Sequence, residues 1–199
     1  MEKLIILGAG GHGFVIADVA SQLGYNVLLW DDNILENNQT YKIEQRRSEI
    51  PDNSKLIIGI GNNKTREIIS KQYPQKNYFT LIHPQTIISK NIKIGFGSTV
   101  MPGVIINNGS KIGEHCIINT GSIIEHDCTI KNYVHISPNS TLCGNVRIGN
   151  GTWVGAGSTI IQGIKIGENV TIGAGTVVIE NIPNNATVVG NPGKIIKII

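Results

Sequence analysis

The sequence predicts two folds in one chain: a small parallel α/β domain over residues 1–80, then a parallel β-helix over residues 81–199. Three observations predict them. A six-residue repeat runs from Ile82 to Pro183 without a slip. A glycine-rich turn, Gly8 to Gly13, joins an apolar run to a helical one near the start. Finally, 24 glycines accompany only 5% aromatic residues, which suits a core of stacked aliphatic side chains closed by glycine corners.

The first eighty residues alternate strands with helices. Lys3–Leu7 is a short apolar run that reads as a buried strand. Phe14 to Leu23 has helical spacing (Phe14, Ile16, Ala17, Val19, Ala20, Leu23), with Gly24 as its C-terminal cap. Tyr25–Trp30 is a second strand, closing on Asp31-Asp32-Asn33. Residues 34–54 are polar and carry no clear pattern. Lys55–Ile60 is another apolar strand, ending in Gly61-Asn62-Asn63; Lys64–Gln72 is helical, and Tyr78–Ile82 is a last strand leading into the repeat. Such alternation implies a parallel sheet.

Gly8-Ala9-Gly10-Gly11-His12-Gly13 matches G-x-G-x-x-G between a strand and a helix, and an acidic pair follows eighteen or nineteen residues after Gly13. Glycines let the backbone approach a pyrophosphate, and a helix N-terminus favours negative charge. The acidic pair, Asp31 and Asp32, accepts hydrogen bonds from a ribose or a base. A full dinucleotide fold has six strands, and this segment has room for about four, so the second nucleotide half is missing. The expectation is a Rossmann-like half site that holds a nucleoside diphosphate.

Stepping by six from Ile82 gives seventeen residues, all aliphatic, ending at Val178. The position four further on is small or branched each time, as at Ser98, Cys116, Ser122 and Cys128. Both positions point inward, and residues eighteen apart stack from one coil to the next. Gly and Asn crowd the place before the small residue, where a tight corner asks for φ > 0. Seventeen hexads make between five and six coils. Period six excludes an amphipathic helix, whose repeat is about 3.6 residues.

Composition narrows the function classes. A net charge of +3 is too mild and scattered for a nucleic-acid protein. Cys116, Cys128 and Cys143 lack metal-type spacing, and the first two fall on inward positions. Nothing resembles a signal peptide, and no run approaches a membrane span. The reducing cytoplasm is therefore the expected compartment.

Chemistry is expected from outward residues of the central coils: Asn119, Glu125, His126, Asp127 and His135. His126 is the strongest candidate base, because an ordinary imidazole pKa of about 6.5 suits proton removal near neutrality. Asp127 is placed to orient its ring, with Glu125 or a residue of another coil as the alternative. His135 also falls on an outward position, while His115 and His83 read as ordinary surface residues. No His/Cys/Asp set has convincing metal spacing, so no metal is expected.

Hexads that begin Ile112-Gly113, Ile148-Gly149, Val154-Gly155, Ile166-Gly167 and Ile172-Gly173 resemble those of left-handed β-helix acyltransferases. The exit Val189-Gly190-Asn191-Pro192-Gly193-Lys194 is similar to theirs, with Gly193 where Ala is more usual. Gly8 to Gly13 with Asp31-Asp32, together with Asn119-Thr120, Ile124 to Cys128 and His135-Ile136-Ser137, narrows the resemblance. The whole chain resembles the sugar acyltransferases that include sialic acid O-acetyltransferases and bacillosamine-pathway nucleotide-sugar N-acetyltransferases.

That resemblance implies a left-handed helix, acetyl-CoA as co-substrate and a nucleotide-sugar acceptor of the UDP-4-amino-sugar type. It implies His126 as general base with Asp127 beside it, where the bacillosamine enzymes carry a glutamate. Asn119 would lie near the reacting centre, His135 along the acetyl-CoA channel, and the backbones of Ala156 and Ala174 against the pantetheine. Gly10, Gly11 and His12 would meet the phosphates, Asp31 and Asp32 the nucleoside, with Gly61 shaping the same pocket. It further implies a homotrimer with active sites between neighbouring prisms, which closed three-fold symmetry permits.

The expected reaction is direct acetyl transfer without a covalent acetyl-enzyme, since positioning both substrates supplies much of the rate. The backbone N–H of Gly144, one coil on from His126, is the expected oxyanion donor. Three other readings stay open: O-acetylation of sialic acid, a zinc carbonic anhydrase using His115, His126 and His135, and a non-catalytic nucleotide-binding scaffold. The repeat has no inserted loop, so the acceptor must be held by the glycine-loop domain and a neighbouring subunit.

Overall fold

A computed structural model of the chain describes residues 2–33, 40–51, 54–73 and 77–198. It contains two compact units, Met1–Leu81 and Ile82–Ile199. The first is a four-stranded parallel sheet in the order β3-β2-β1-β4, with β1 Lys3–Leu7, β2 Asn26–Asp31, β3 Ile43–Gln45 and β4 Ser54–Ile58. Helix α1, Gly11–Gln22, follows β1, and α2, Asn63–Ser70, follows β4. Leu4, Ile5, Ile6 and Leu7 are wholly buried, as a central parallel strand covered on both faces requires.

Two sequence expectations change here. Strand β3 lies inside the polar segment 34–54, of which residues 34–39 and 52–53 fall outside the described residues. It is an edge strand of three residues, too short to show a period. The expected last strand, Tyr78–Ile82, divides: Tyr78 forms an isolated parallel bridge to Leu56, whereas Leu81–Ile82 is a separate strand, β5.

The second unit is a parallel β-solenoid. Seventeen strands of two residues, β5 through β21 (Val177–Val178), recur every six residues. They distribute five, six and six over three sheets, the last of which two further strands extend to eight. Partners are eighteen residues apart, as in Ile118↔Ile136 and Ile136↔Val154. The largest sheet ends in β22, Ala186–Val189, and the antiparallel return β23, Lys194–Ile198. The inward aliphatic ladder is one buried cluster running from Val100 to Val188.

The small inward residue has a second task besides fitting the corner. Ser110 Oγ donates to the Glu125 carbonyl at 2.6 Å and accepts from the Cys128 N–H at 3.0 Å. Ser98 does the same with Gly113 and Cys116. These hydroxyls satisfy corner backbone groups that the two-residue strands leave over. Cys116 and Cys128 are wholly buried in the equivalent places, as the register predicts, and their thiols face the carbonyls of Lys131 and Cys143. Burial pushes the Cys128 thiol above its ordinary pKa, so it is held as the neutral thiol.

All fifteen successive corners from Asn91 to Gly175 take φ between 52° and 78°. Most are Gly or Asn, as expected, but His115, Asp127 and Tyr133 adopt the same left-handed conformation. His115 and His83 are buried and not surface residues. The His115 ring is stacked on Tyr133 and edge-on to Phe96, so the corner column covers it. His83 accepts a hydrogen bond from the Gln85 N–H at 3.0 Å. Period alone could not foresee the burial of His115, because rings on neighbouring coils cover one another.

Candidate active site

The glycines of the N-terminal loop divide into two kinds. A Cβ on Gly13 would collide with the Gly8 carbonyl, and one on Gly59 would lie 2.7 Å from Gly13 Cα. Gly8 has φ 110°, a conformation that L side chains rarely adopt. These three let β1, α1 and the end of β4 close up. Gly10, Gly11 and Gly61 are different: a Cβ on any of them would meet nothing within 4 Å. Open backbone at the start of α1 is the geometry that admits an anion.

Asp31 stands at the end of β2 and is turned into this loop. Its Oδ2 accepts from the Ala9 N–H at 2.7 Å, and its Oδ1 from the Asn33 N–H at 2.9 Å. Asp32 is exposed and held by Arg46, with bonds of 2.7 and 3.0 Å from Nη2 and Nε. Asp32 and Arg46 line a cavity of about 380 Å³ with Arg47, Ser48, Gln72 and Tyr73. Arg46 carries no signal in the sequence, because its segment shows no pattern.

Arg66, on α2, is a wholly buried cation. Arg66 donates to the carbonyls of Ile60 and Gly61 at 3.1 Å each, and to Asn63 Oδ1 at 2.7 Å. Those bonds fix the turn between β4 and α2. Burial, and secondarily the Arg66 charge, holds His12 far below its ordinary value, at about 4. His12 is therefore a neutral imidazole at pH 7. An Arg on a polar helix gives no sequence signal that separates it from surface arginines.

In the solenoid, His126 follows β12, Ile123–Ile124, at the corner that leads to β13, Thr129–Ile130. Its Nδ1 lies 2.9 Å from Asp127 Oδ2. Among the described residues no side-chain bond joins Glu125 to the ring. The imidazole is 63% exposed. With Nδ1–H donating to the carboxylate, Nε2 is left with its lone pair for a substrate proton.

His135 lies on β14, His135–Ile136, in register with Ile117 and Trp153. The register gives it an outward position, yet it is only 9% exposed. Trp153 is stacked on it, with centroids 5.8 Å apart and planes 5° from parallel. The indole N–H donates to Ser137 Oγ at 2.7 Å, and the Asn119 amide nitrogen meets His135 Nε2 at 3.1 Å. Trp153 stands eighteen residues from His135, but that spacing does not show that its ring covers the imidazole.

The candidates thus gather on two different edges of one prism. Asn119, Ala156 and Ala174 share the corner after the eight-stranded face that carries His135 and Trp153. Both alanines are exposed. His126, Asp127 and Gly144 share the corner after the six-stranded face. Among the described residues no group of three or more His, Cys, Asp or Glu side chains could hold a metal ion. No helix among them is long and apolar enough to cross a membrane.

Residues 3–73 match the family described as the PglD N-terminal domain, and residues 109–144 and 145–180 each match bacterial transferase hexapeptide (six repeats). A UDP-N-acetylbacillosamine N-acetyltransferase of Bacillus subtilis (strain 168) is 38% identical over 113 residues, 51% of this chain and 52% of that protein. The match thus spans about half the length of that curated relative. Among solved structures, the acetyltransferase domain of PglB from Neisseria gonorrhoeae FA1090 superposes with a TM-score of 0.93 at 35% identity, over 98% of this chain and 100% of that one. The same domain in complex with acetyl coenzyme A gives 0.92 at 35% identity, over 98% and 99%. A mutant perosamine N-acetyltransferase from Caulobacter crescentus, in complex with CoA and GDP-perosamine, gives 0.93 at 30% identity, over 98% and 97%.

Proposed function

The chain belongs to the hexapeptide-repeat sugar acetyltransferases that carry a PglD-type N-terminal domain, and from that premise we propose that it moves acetyl from acetyl-CoA to the amino group of a nucleotide-linked 4-amino sugar. The observation that carries this reading is the His126–Asp127 pair, an exposed imidazole with Nδ1 tied to a carboxylate and Nε2 left for the acceptor. Relatives of known structure with acetyl-CoA, or with CoA and a nucleotide sugar, support the same pair of substrates.

The amine attacks the thioester carbonyl in its neutral form, and His126 Nε2 takes the proton as the C–N bond forms. The tetrahedral oxyanion is met by the N–H of Gly144, which makes no hydrogen bond among the described residues. Collapse expels the CoA thiolate, and the proton held by His126 goes to the sulfur. Asp127 keeps the ring oriented and stabilises its charged form. Asn119 and His135 line the acetyl-CoA channel, with Ala156 and Ala174 along its length.

The acceptor's phosphates rest on the open backbone of Gly10 and Gly11 beside His12 and Gly61. Asp31, Asp32 and Arg46 face the nucleoside. We take the nucleotide as UDP, with support from the Bacillus relative's own substrate; the GDP-perosamine complexes favour a GDP sugar as the second reading. Because the two groups of solenoid residues lie on different edges, the active site is completed by a second copy, and a homotrimer closes that arrangement. The cytoplasm supplies both substrates and suits the free thiols at Cys116, Cys128 and Cys143.

Thiol release from acetyl-CoA, measured against UDP-, GDP- and dTDP-linked 4-amino sugars with sialic acid as a competing acceptor, tests the reading. The expected result is turnover with the UDP sugar above the others. Turnover with sialic acid alone, or with none, would overturn it.

A further inference from the structure

The corner after the six-stranded face presents one residue from each coil: Lys90, Asn108, His126, Gly144, Gln162 and Glu180. Each is the second residue after an inward aliphatic. Across all seventeen hexads that place is glycine once only, at Gly144. It is also the place one coil on from His126.

The reason is in the contact. A Cβ on Gly144 would lie 2.6 Å from both Cε1 and Nε2 of His126. The imidazole occupies the space a side chain would fill. Nothing in the backbone asks for glycine, since Gly144 is outside the left-handed set of corners. Nor does the corner position refuse a side chain: Ala156 and Ala174 hold the same place in other hexads. On the opposite side, the carboxylate Oδ1 of Asp127 occupies the space of a Cβ on Gly109, one coil back. The pair is let into two notches, one on each neighbouring coil.

We infer that Gly144 is a positioning residue: its missing side chain seats the His126 imidazole against the next coil, where Asp127 can hold Nδ1. The inference rests on the reading of His126 as the general base. It is separate from any hydrogen bond donated by the Gly144 N–H, which an alanine would keep. Gly109 takes φ 78° and so has a backbone reason to be glycine as well, which leaves Gly144 as the cleaner test.

In Gly144→Ala the imidazole, an exposed side-chain end, swings off its seat while the backbone stays. The experiment is steady-state kinetics on Gly144→Ala, His126→Ala and the double variant, with thermal unfolding of each. The expected result is a kcat at least thirty-fold down in Gly144→Ala, with KM for acetyl-CoA and the unfolding midpoint nearly unchanged. The double variant should be no slower than His126→Ala alone, because a seat has no value without its occupant. A kcat within threefold of wild type in Gly144→Ala, beside a slow His126→Ala, overturns the seat and leaves the base reading standing. Losses that multiply in the double variant overturn it too, since Gly144 would then act independently of the ring. Failure of Gly144→Ala to fold contradicts the tolerance seen at Ala156 and Ala174 and overturns it as well. Near-normal turnover of His126→Ala overturns both readings together.

Discussion

Nδ1 of His126 lies 2.9 Å from Oδ2 of Asp127, its immediate neighbour in sequence. Adjacent side chains of an extended chain point to opposite faces. Here Asp127 takes φ 61°, and the corner folds its carboxylate back onto the preceding ring. Asn tolerates the same conformation, so Asp127→Asn keeps the corner and removes only the charge. Steady-state kinetics should show kcat about 10- to 100-fold down, against about 10²- to 10⁴-fold for His126→Ala. Unchanged kcat in Asp127→Asn would show that the carboxylate does not support the base.

The repeat made the solenoid legible because each inward place admits only an aliphatic or a small residue, so period and burial coincide from Val100 to Val178. It also separated the cysteines from the chemistry. What it could not show is how outward side chains cover one another between coils: His135 under Trp153, or His115 against Tyr133. Those contacts depend on residues eighteen apart being read as neighbours. In the first unit, the glycine motif was legible as a turn but not as two classes of glycine. Arg46 and Arg66 gave no signal, since an arginine that braces a loop and one in water look alike in sequence.

The two classes of glycine make opposite predictions. Gly13→Ala places a methyl onto the Gly8 carbonyl, so the N-terminal unit should lose about 2–4 kcal/mol of stability. Gly10→Ala and Gly11→Ala meet nothing within 4 Å, so the unfolding midpoint should hold while KM for the nucleotide sugar rises. Thermal unfolding read beside kinetics checks both. Equal destabilisation by all three would mean that the loop is only a packing device.

Trp153 is 47% exposed, stacked on His135 and tied to Ser137. Trp153→Leu removes the ring that holds the imidazole parallel and leaves the Asn119 contact in place. Fold stability should change little, because the side chain faces outward from the aliphatic core. KM for acetyl-CoA should rise severalfold, as His135 lies along that channel in the proposed site. An unaltered KM in a folded variant would remove Trp153 from the channel.

His12 gives a prediction with a definite sign. In the folded chain its pKa is about 4, against an ordinary value of 6.5. Between those values the unfolded chain takes up a proton that the folded chain refuses. Stability therefore falls as pH drops from 6.5 towards 4, and is unaffected by this group above 6.5. At pH 5 the loss is on the order of 2 kcal/mol. Substituting His12→Gln removes the titrating group, so urea unfolding of the N-terminal unit at pH 7.5 and pH 5 should show a smaller loss in the variant. Binding carries the same signature. A charged imidazole would make nucleotide affinity fall as pH rises through 6.5, whereas neutral His12 leaves that contribution flat from pH 5 to 8. A His12 ring resonance that titrates near 6.5, or equal acid sensitivity of variant and wild type, would show that the site holds a cation there after all.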